Sequence, residues 1–299
     1  MPYQHTVANR VTCRGVGLHS GEEVSLSILP AVENTGILFR RVDISGPEQY
    51  VPANYLNVVN TQLGTTLAND KGVSIATTEH LMAALWGCNI DNAIVELSGP
   101  EVPIMDGSSE PFVFLIECSG THKQEVPRRI IEVLKTISVE EDDKRAVITP
   151  ADDFTVTMEI DFENALIAKQ HCVFHSSDVS FKTDLCRART FGFEHEVSHL
   201  RAQGLARGGS LENAVVVSGD KVLNKEGLRY SNEFVRHKVL DCIGDFYLIG
   251  GLLKGHFTGF RSGHALNNKL LRAFFADRDA WRILRFPETP NYFPLAGAA

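Results

Sequence analysis

The chain has 299 residues, 43% of them hydrophobic and 22% charged, a globular composition that excludes a disordered, fibrous or low-complexity protein. Its 29 Lys and Arg against 37 Asp and Glu give a net charge of −8, which argues against a general nucleic-acid binder but leaves room for a local anion site. Six scattered cysteines without a CxxC pair point to a reducing compartment, and no apolar run is long enough to span a bilayer, so a soluble, cytoplasmic protein is expected.

In chain order, residues 24–29 alternate as a strand, 36–42 read as a second and 93–97 as a third. Between them, 77–85 (TTEHLMAAL) reads as a helix with Thr77 and Thr78 as caps and Gly87 at its end. The polar stretch 119–129, with Gly120 and Pro127, is the best linker candidate. Strands resume at 129–139, 146–149 and 155–162, and a second long helix is expected over 232–249, with Phe234, Leu240, Ile243 and Tyr247 at helical spacing. A third helix follows Gly263 over 265–276. Strands followed by helices, twice over, predict an α+β fold. Helix, Gly, strand, loop and helix start recur from His80 to Asp106 and from His237 to His264, hinting at duplication. Two similar domains are therefore expected, 1–126 and 127–299, each a small mixed sheet packed on helices, with a site between them.

Of eleven histidines, four have a His, Asp or Glu four residues on. That spacing spans about 5–6 Å on a helix but roughly 13 Å on a strand, so it can grip one ion only where the segment is helical. His171 and His175 lie in a strand-like run and His19 in a Gly-rich turn, which leaves two candidates. The first, His195-Glu196-Val197-Ser198-His199, spells the HExxH of zinc proteases. It lacks the metzincin Gly, Ala202 standing there, and its polar flanks end early, so a short amphipathic surface helix is expected instead. The second is the polar stripe His237, Asp241 and Asp245 on an otherwise apolar helix, with Gly244 beside it allowing another backbone to approach. A third ligand is available in His80, and its neighbour Glu79 would be a general base. Two His and an Asp with an open position is how catalytic zinc is held. His264 follows a Gly-rich entry to the last helix, where Asp245 offers a partner that would keep it cationic.

Seven blocks in order then resemble the UDP-3-O-acyl-N-acetylglucosamine deacetylases of Gram-negative lipid A synthesis. They are GVGLHSG at 15–21, TTEHLMAAL at 77–85, EVPIMDGS at 101–108, RARTFGF at 187–193, LNKEGLRY at 223–230, RHKVLDCIGD at 236–245 and SGHALNNK at 262–269. The resemblance implies zinc on His80, His237 and Asp241, with iron chemically compatible, and Glu79 as general base. It further implies His264 as the cationic acid oriented by Asp245, Thr190 at the oxyanion, Phe191 on the sugar nucleotide and Lys238 at the diphosphate. His19 and Arg261 are expected near the UDP part. Leu18, Leu63 and the stretch 193–205 are expected to wall an apolar passage for the acyl chain. The substrate implied is UDP-3-O-acyl-N-acetylglucosamine, and a monomer is expected. Family members often carry His-Pro after an Asp-Phe strand end, whereas Asp161-Phe162 here runs into Glu163-Asn164-Ala165-Leu166. A zinc protease using His195 and His199, or a UDP-sugar-binding protein without catalysis, are the competing functions.

Overall fold

The computed structural model describes residues 3–176 and 180–284. The chain opens with β1 (Tyr3–Val7), β2 (Val11–Val16), β3 (Glu23–Pro30), β4 (Ile37–Arg41) and β5 (Tyr50–Pro52). Three short strands, β6 (Val58–Asn60), β7 (Thr66–Ala68) and β8 (Ser74–Ile75), lead into α1 (Glu79–Gly87). Then come β9 (Ala93–Leu97), α2 (Glu110–Ser119) and β10 (Thr121–Pro127). One sheet has the order β2-β3-β9-β4-β5, antiparallel except for the pair β4 and β9. Strand alternation turns Val24, Leu26 and Ile28 of β3 into the core, where α1 lies buried over almost its whole surface.

The rest of the chain repeats this plan. It runs β11 (Ile130–Val133), β12 (Ile137–Glu141), β13 (Lys144–Thr149), β14 (Thr155–Asp161) and β15 (Lys169–His175). After these come β16 (Phe191–Phe193), α3 (Glu194–Ala202), β17 (Val215–Ser218) and β18 (Lys221–Val222). The last elements are α4 (Glu233–Tyr247), β19 (Leu252–Lys254), β20 (His256–Phe260), α5 (His264–Ala276) and β21 (Trp281–Leu284). The second large sheet has the order β12-β13-β20-β14-β15, again antiparallel except for one pair, β14 and β20. Strand order and directions are the same in both sheets, and each parallel pair closes through a helix, α1 or α4. Each half also carries an extra three-stranded sheet before that helix, β6-β7-β8 in one and β16-β17-β18 in the other. The α+β class with two similar units is thus present in the topology.

The halves meet where α1 crosses α4. A Cβ on Gly244 would lie 2.0 Å from the Glu79 carbonyl oxygen, so only glycine permits this approach. The contact sets Glu79 and His80 beside the polar stripe of α4.

Four local expectations differ from the structure. The stretch expected as a linker is strand β10, paired with β1; it is polar because it is an outer ribbon, its one buried residue being Gln124. The single strand expected over 129–139 is two, β11 and β12, in different sheets. Thr78 precedes α1, but its hydroxyl donates to the Thr65 carbonyl (3.1 Å) instead of capping the helix. Helix α4 is buried on nearly all sides, which the four-residue apolar stripe did not reveal. The six cysteines are unpaired, and none of the described helices is long and apolar enough to cross a membrane.

Candidate active site

A cavity of about 1020 Å³ lies over the α1–α4 crossing. At its floor His80 comes from the first turn of α1, and His237 and Asp241 from one face of α4, all buried. Asp241 Oδ1 is 3.3 Å from His237 Nε2 and 3.5 Å from His80 Nε2. One ligand atom from each of the three lies within 4.8 Å of the others, the only such group among the described residues. The His237 Nδ1 edge meets the Ala188 carbonyl at 2.9 Å, which leaves Nε2 as the free nitrogen. Burial, against the raising by Asp241, holds His237 down to about 4, so its imidazole is neutral near pH 7. Burial pushes the Asp241 carboxyl up, but His237, Lys238, His80 and His264 together outweigh it, and it stays well below the usual carboxylate range. Asp241 Oδ1 is nevertheless buried without a hydrogen-bond partner. A buried, ionised oxygen left unpaired is costly. Two imidazole nitrogens and that oxygen form a His₂Asp donor set suited to holding a metal ion.

Glu79, the first residue of α1, is buried beside this group, and its carboxylate accepts the Thr65 backbone N–H (2.9 Å). Burial raises its pKa, against the lowering by His264 and His80. His264 begins α5, and its Nδ1 is 2.9 Å from Asp245 Oδ2. Asp245 also accepts Thr65 Oγ1–H (2.6 Å) and Asn267 Nδ2–H (2.9 Å), and Asn267 in turn accepts the Ser262 hydroxyl. Thr65 and Asn267 thus fix the His264–Asp245 pair, and no spacing in the sequence signals Thr65.

Thr190 lines the cavity just before β16. Its N–H donates to the Gly107 carbonyl (2.8 Å), and the preceding Arg189 is buried in an ion pair with Glu233 at the start of α4 (2.9 Å). The EVPIMDGS and RARTFGF blocks therefore meet behind Thr190. Phe191 follows, its ring edge-on to Phe234 (5.0 Å) and Phe162 (5.8 Å). Lys238 Nζ lies 3.4 Å from Asp241 Oδ2 on the cavity side of α4. Arg261, at φ 50° after β20, donates through Nε to the Asp161 carbonyl (3.0 Å) and pairs with Asp143.

One part of the cavity wall is apolar, formed by Leu18, Leu63, Phe193, Val197, Leu200 and Leu211. His19 stands among them. Its Nε2 is 3.2 Å from the Leu63 carbonyl, and its Nδ1 accepts the Ala206 N–H (3.3 Å). Glu101, which sequence reasoning did not single out as a side chain, is buried and accepts the N–H groups of His19 (2.9 Å) and Ser20 (2.8 Å) and the Thr77 hydroxyl (2.8 Å). It fastens the GVGLHSG turn to the start of α1.

His195 and His199 lie on α3, none of whose residues is buried, and His199 Nε2 meets Gln203 Nε2 at 3.0 Å. No third metal-binding side chain joins them among the described residues. The surface-helix expectation describes this segment, with Glu196, Val197, Leu200 and Arg201 facing the cavity.

A family model described as LpxC, UDP-3-O-acyl N-acetylglycosamine deacetylase, matches residues 4–276. Two curated proteins, from Shewanella sp. strains ANA-3 and MR-4, are each 47% identical over 304 residues, covering 100% of this chain and 99% of the relative. Both bear the name UDP-3-O-acyl-N-acetylglucosamine deacetylase. The chain belongs to the UDP-3-O-acyl N-acetylglycosamine deacetylase family.

Proposed function

We propose that the protein hydrolyses the N-acetyl group of UDP-3-O-acyl-N-acetylglucosamine, giving UDP-3-O-acyl-glucosamine and acetate in cytoplasmic lipid A synthesis. The observation that carries this is the His80, His237 and Asp241 group, adjoined by Glu79 and by the Asp245–His264 pair, in one cavity with an apolar extension. The donor set fits zinc. When bound, a divalent metal supplies Lewis acidity, lowering the pKa of a water and polarising the acetamide carbonyl.

Glu79 takes the proton of the attacking water, and the Thr190 hydroxyl donates to the oxyanion as the carbonyl carbon becomes tetrahedral. Protonated His264, oriented by Asp245, gives its proton to the sugar nitrogen, because an amide anion is too poor a leaving group. Phe191 supports the sugar nucleotide, and Lys238 and Arg261 receive the diphosphate. Leu18 and Leu63 border the acyl passage, each buried CH₂ contributing about 0.8 kcal/mol. The units 1–126 and 127–299 act as two domains with this site between them; residues 285–299 of the second lie outside the described residues.

Acetate release from UDP-3-O-acyl-N-acetylglucosamine, with and without a chelator, tests the reading. Activity abolished by chelator and restored by Zn²⁺ is expected, and Glu79→Gln should lose roughly 10²–10⁴ in kcat while keeping its metal. His80→Ala, His237→Ala and Asp241→Ala should lose metal, whereas His195→Ala and His199→Ala should keep it. The reverse metal pattern would favour a zinc protease. A wild-type protein without metal or hydrolysis would favour a UDP-sugar-binding protein.

A further inference from the structure

The cavity proposed to take a diphosphate already holds an anion of the protein's own. Asp143 lies in the two-residue turn between β12 and β13, and its carboxylate pairs with Nη1 of Arg261. The Arg261 guanidinium is fixed from the other side by its Nε–H bond to the Asp161 carbonyl, and its backbone N–H donates to the Glu159 carbonyl (2.9 Å). Removing Asp143 therefore leaves Arg261 held. The Asp143 side chain is 54% exposed and that of Arg261 32%, so the pair adds little to stability. For an anionic ligand the same carboxylate is an obstacle. It occupies one edge of the guanidinium and, with Glu141 beside it in the cavity wall, repels negative charge there.

We infer that Asp143 sets the affinity of the site for its substrate, an internal anion that occupies Arg261 until the substrate's diphosphate displaces it. The inference rests on the proposed placement of the diphosphate at Arg261. A neutral or weakly charged ligand gains nothing by breaking the Asp143–Arg261 pair, whereas a nucleoside diphosphate replaces one carboxylate contact with stronger charge-assisted bonds. The exchange also runs backwards. After hydrolysis Asp143 returns to Arg261 and favours release of the UDP-bearing product. One side chain thus moderates the hold on the diphosphate of substrate and product alike.

Calorimetric titration of UDP and of uridine into wild type, Asp143→Asn, Arg261→Ala and the double variant separates the possibilities. Removing the competing carboxylate should tighten UDP binding by roughly two- to fivefold, the size of an exposed ion pair. Uridine affinity should not change, and the gain should vanish in the Arg261→Ala background. KM for UDP-3-O-acyl-N-acetylglucosamine should fall by a similar factor while kcat stays within about twofold. The charge control is Asp70→Asn, an exposed acid paired with Lys71, and it should leave all these values unchanged. UDP affinity that is unchanged or weaker in Asp143→Asn, an equal gain for uridine, or the same gain in Asp70→Asn overturns the inference. If wild type releases acetate and binds UDP yet Asp143→Asn is neutral, only this inference fails. If wild type does neither, the proposed function fails with it.

Discussion

Burial alone would push the His264 imidazole down, but the Asp245 carboxylate at 2.9 Å, with Glu79 and Asp241 nearby, raises it to about 9. A proton donor to the amine must carry its proton near pH 7, and this arrangement keeps it charged through that range. The sign follows from the raised value. The stabilisation from the pair is complete below the ordinary value of 6.5 and is lost as pH rises through about 9. Activity that needs the cation should likewise fall through that upper range. Asp245→Asn removes the charge while keeping the shape, so the basic limb of the kcat profile should move to lower pH and kcat near neutrality should fall. Acetate release measured across pH in both proteins reads this directly, and a basic limb that stays in place would rule out Asp245 as the group holding the proton on His264. The i, i+4 and i+8 spacing made His237, Asp241 and Asp245 legible in the sequence, because a helix converts spacing into distance. Thr65, which bonds Asp245 from 180 residues away, has no such code.

At the scale of elements, the site exists because two helices cross closely enough to share it. Alanine at 244 would be preferred to glycine by about 1 kcal/mol on helix propensity alone. Here the added Cβ meets the Glu79 carbonyl at 2.0 Å, a backbone atom that cannot rotate away. Overpacking of this kind costs about 1–3 kcal/mol, enough to reverse the propensity gain. Gly244→Ala should therefore lower the Tm and, by displacing the backbone that carries Glu79, lower kcat more than KM. An unchanged or raised Tm would show that the helices part without penalty. Helices α1, α4 and α5 and the central strands β3, β4, β9, β13 and β14 were readable from periodicity, and the close crossing from Gly244, whereas α2 and most of the short strands carried no such signal. Thr78 misled because its hydroxyl serves a distant carbonyl, and β10 misled because a polar outer ribbon has the composition of a linker.

For the molecule as a whole, the matching sheet orders explain why a faint echo of motifs in the sequence was meaningful although little identity connects the halves. Residues that join them do not repeat. Arg128 follows β10 at the passage from one unit to the next and is buried, donating to Asp91 (2.8 Å) and Asn89 (2.7 Å) in the loop after α1. Asp91 also accepts the His5 N–H (2.9 Å), and the Tyr247 hydroxyl at the end of α4 donates to the Ile90 carbonyl (2.6 Å). This junction ties β1, the α1–β9 loop, the chain crossing and α4 together without touching the proposed chemistry. Burial raises the Asp91 carboxyl even with Arg128 beside it. Arg128→Met would leave that largely buried carboxylate without its cation, with only the His5 N–H still bonding it, a loss of up to about 3 kcal/mol. The loss should shrink at acidic pH, where a carboxyl raised further can fold in its neutral form, and grow as pH rises. Adding Asp91→Asn should recover part of it, because no charge then needs the arginine. Urea denaturation of the three proteins at pH 5 and pH 8, with kcat measured on the folded fraction, tests this. Equal destabilisation at both pH values, or no recovery in the double variant, would mean that Arg128 acts by packing alone and that the units are held together elsewhere.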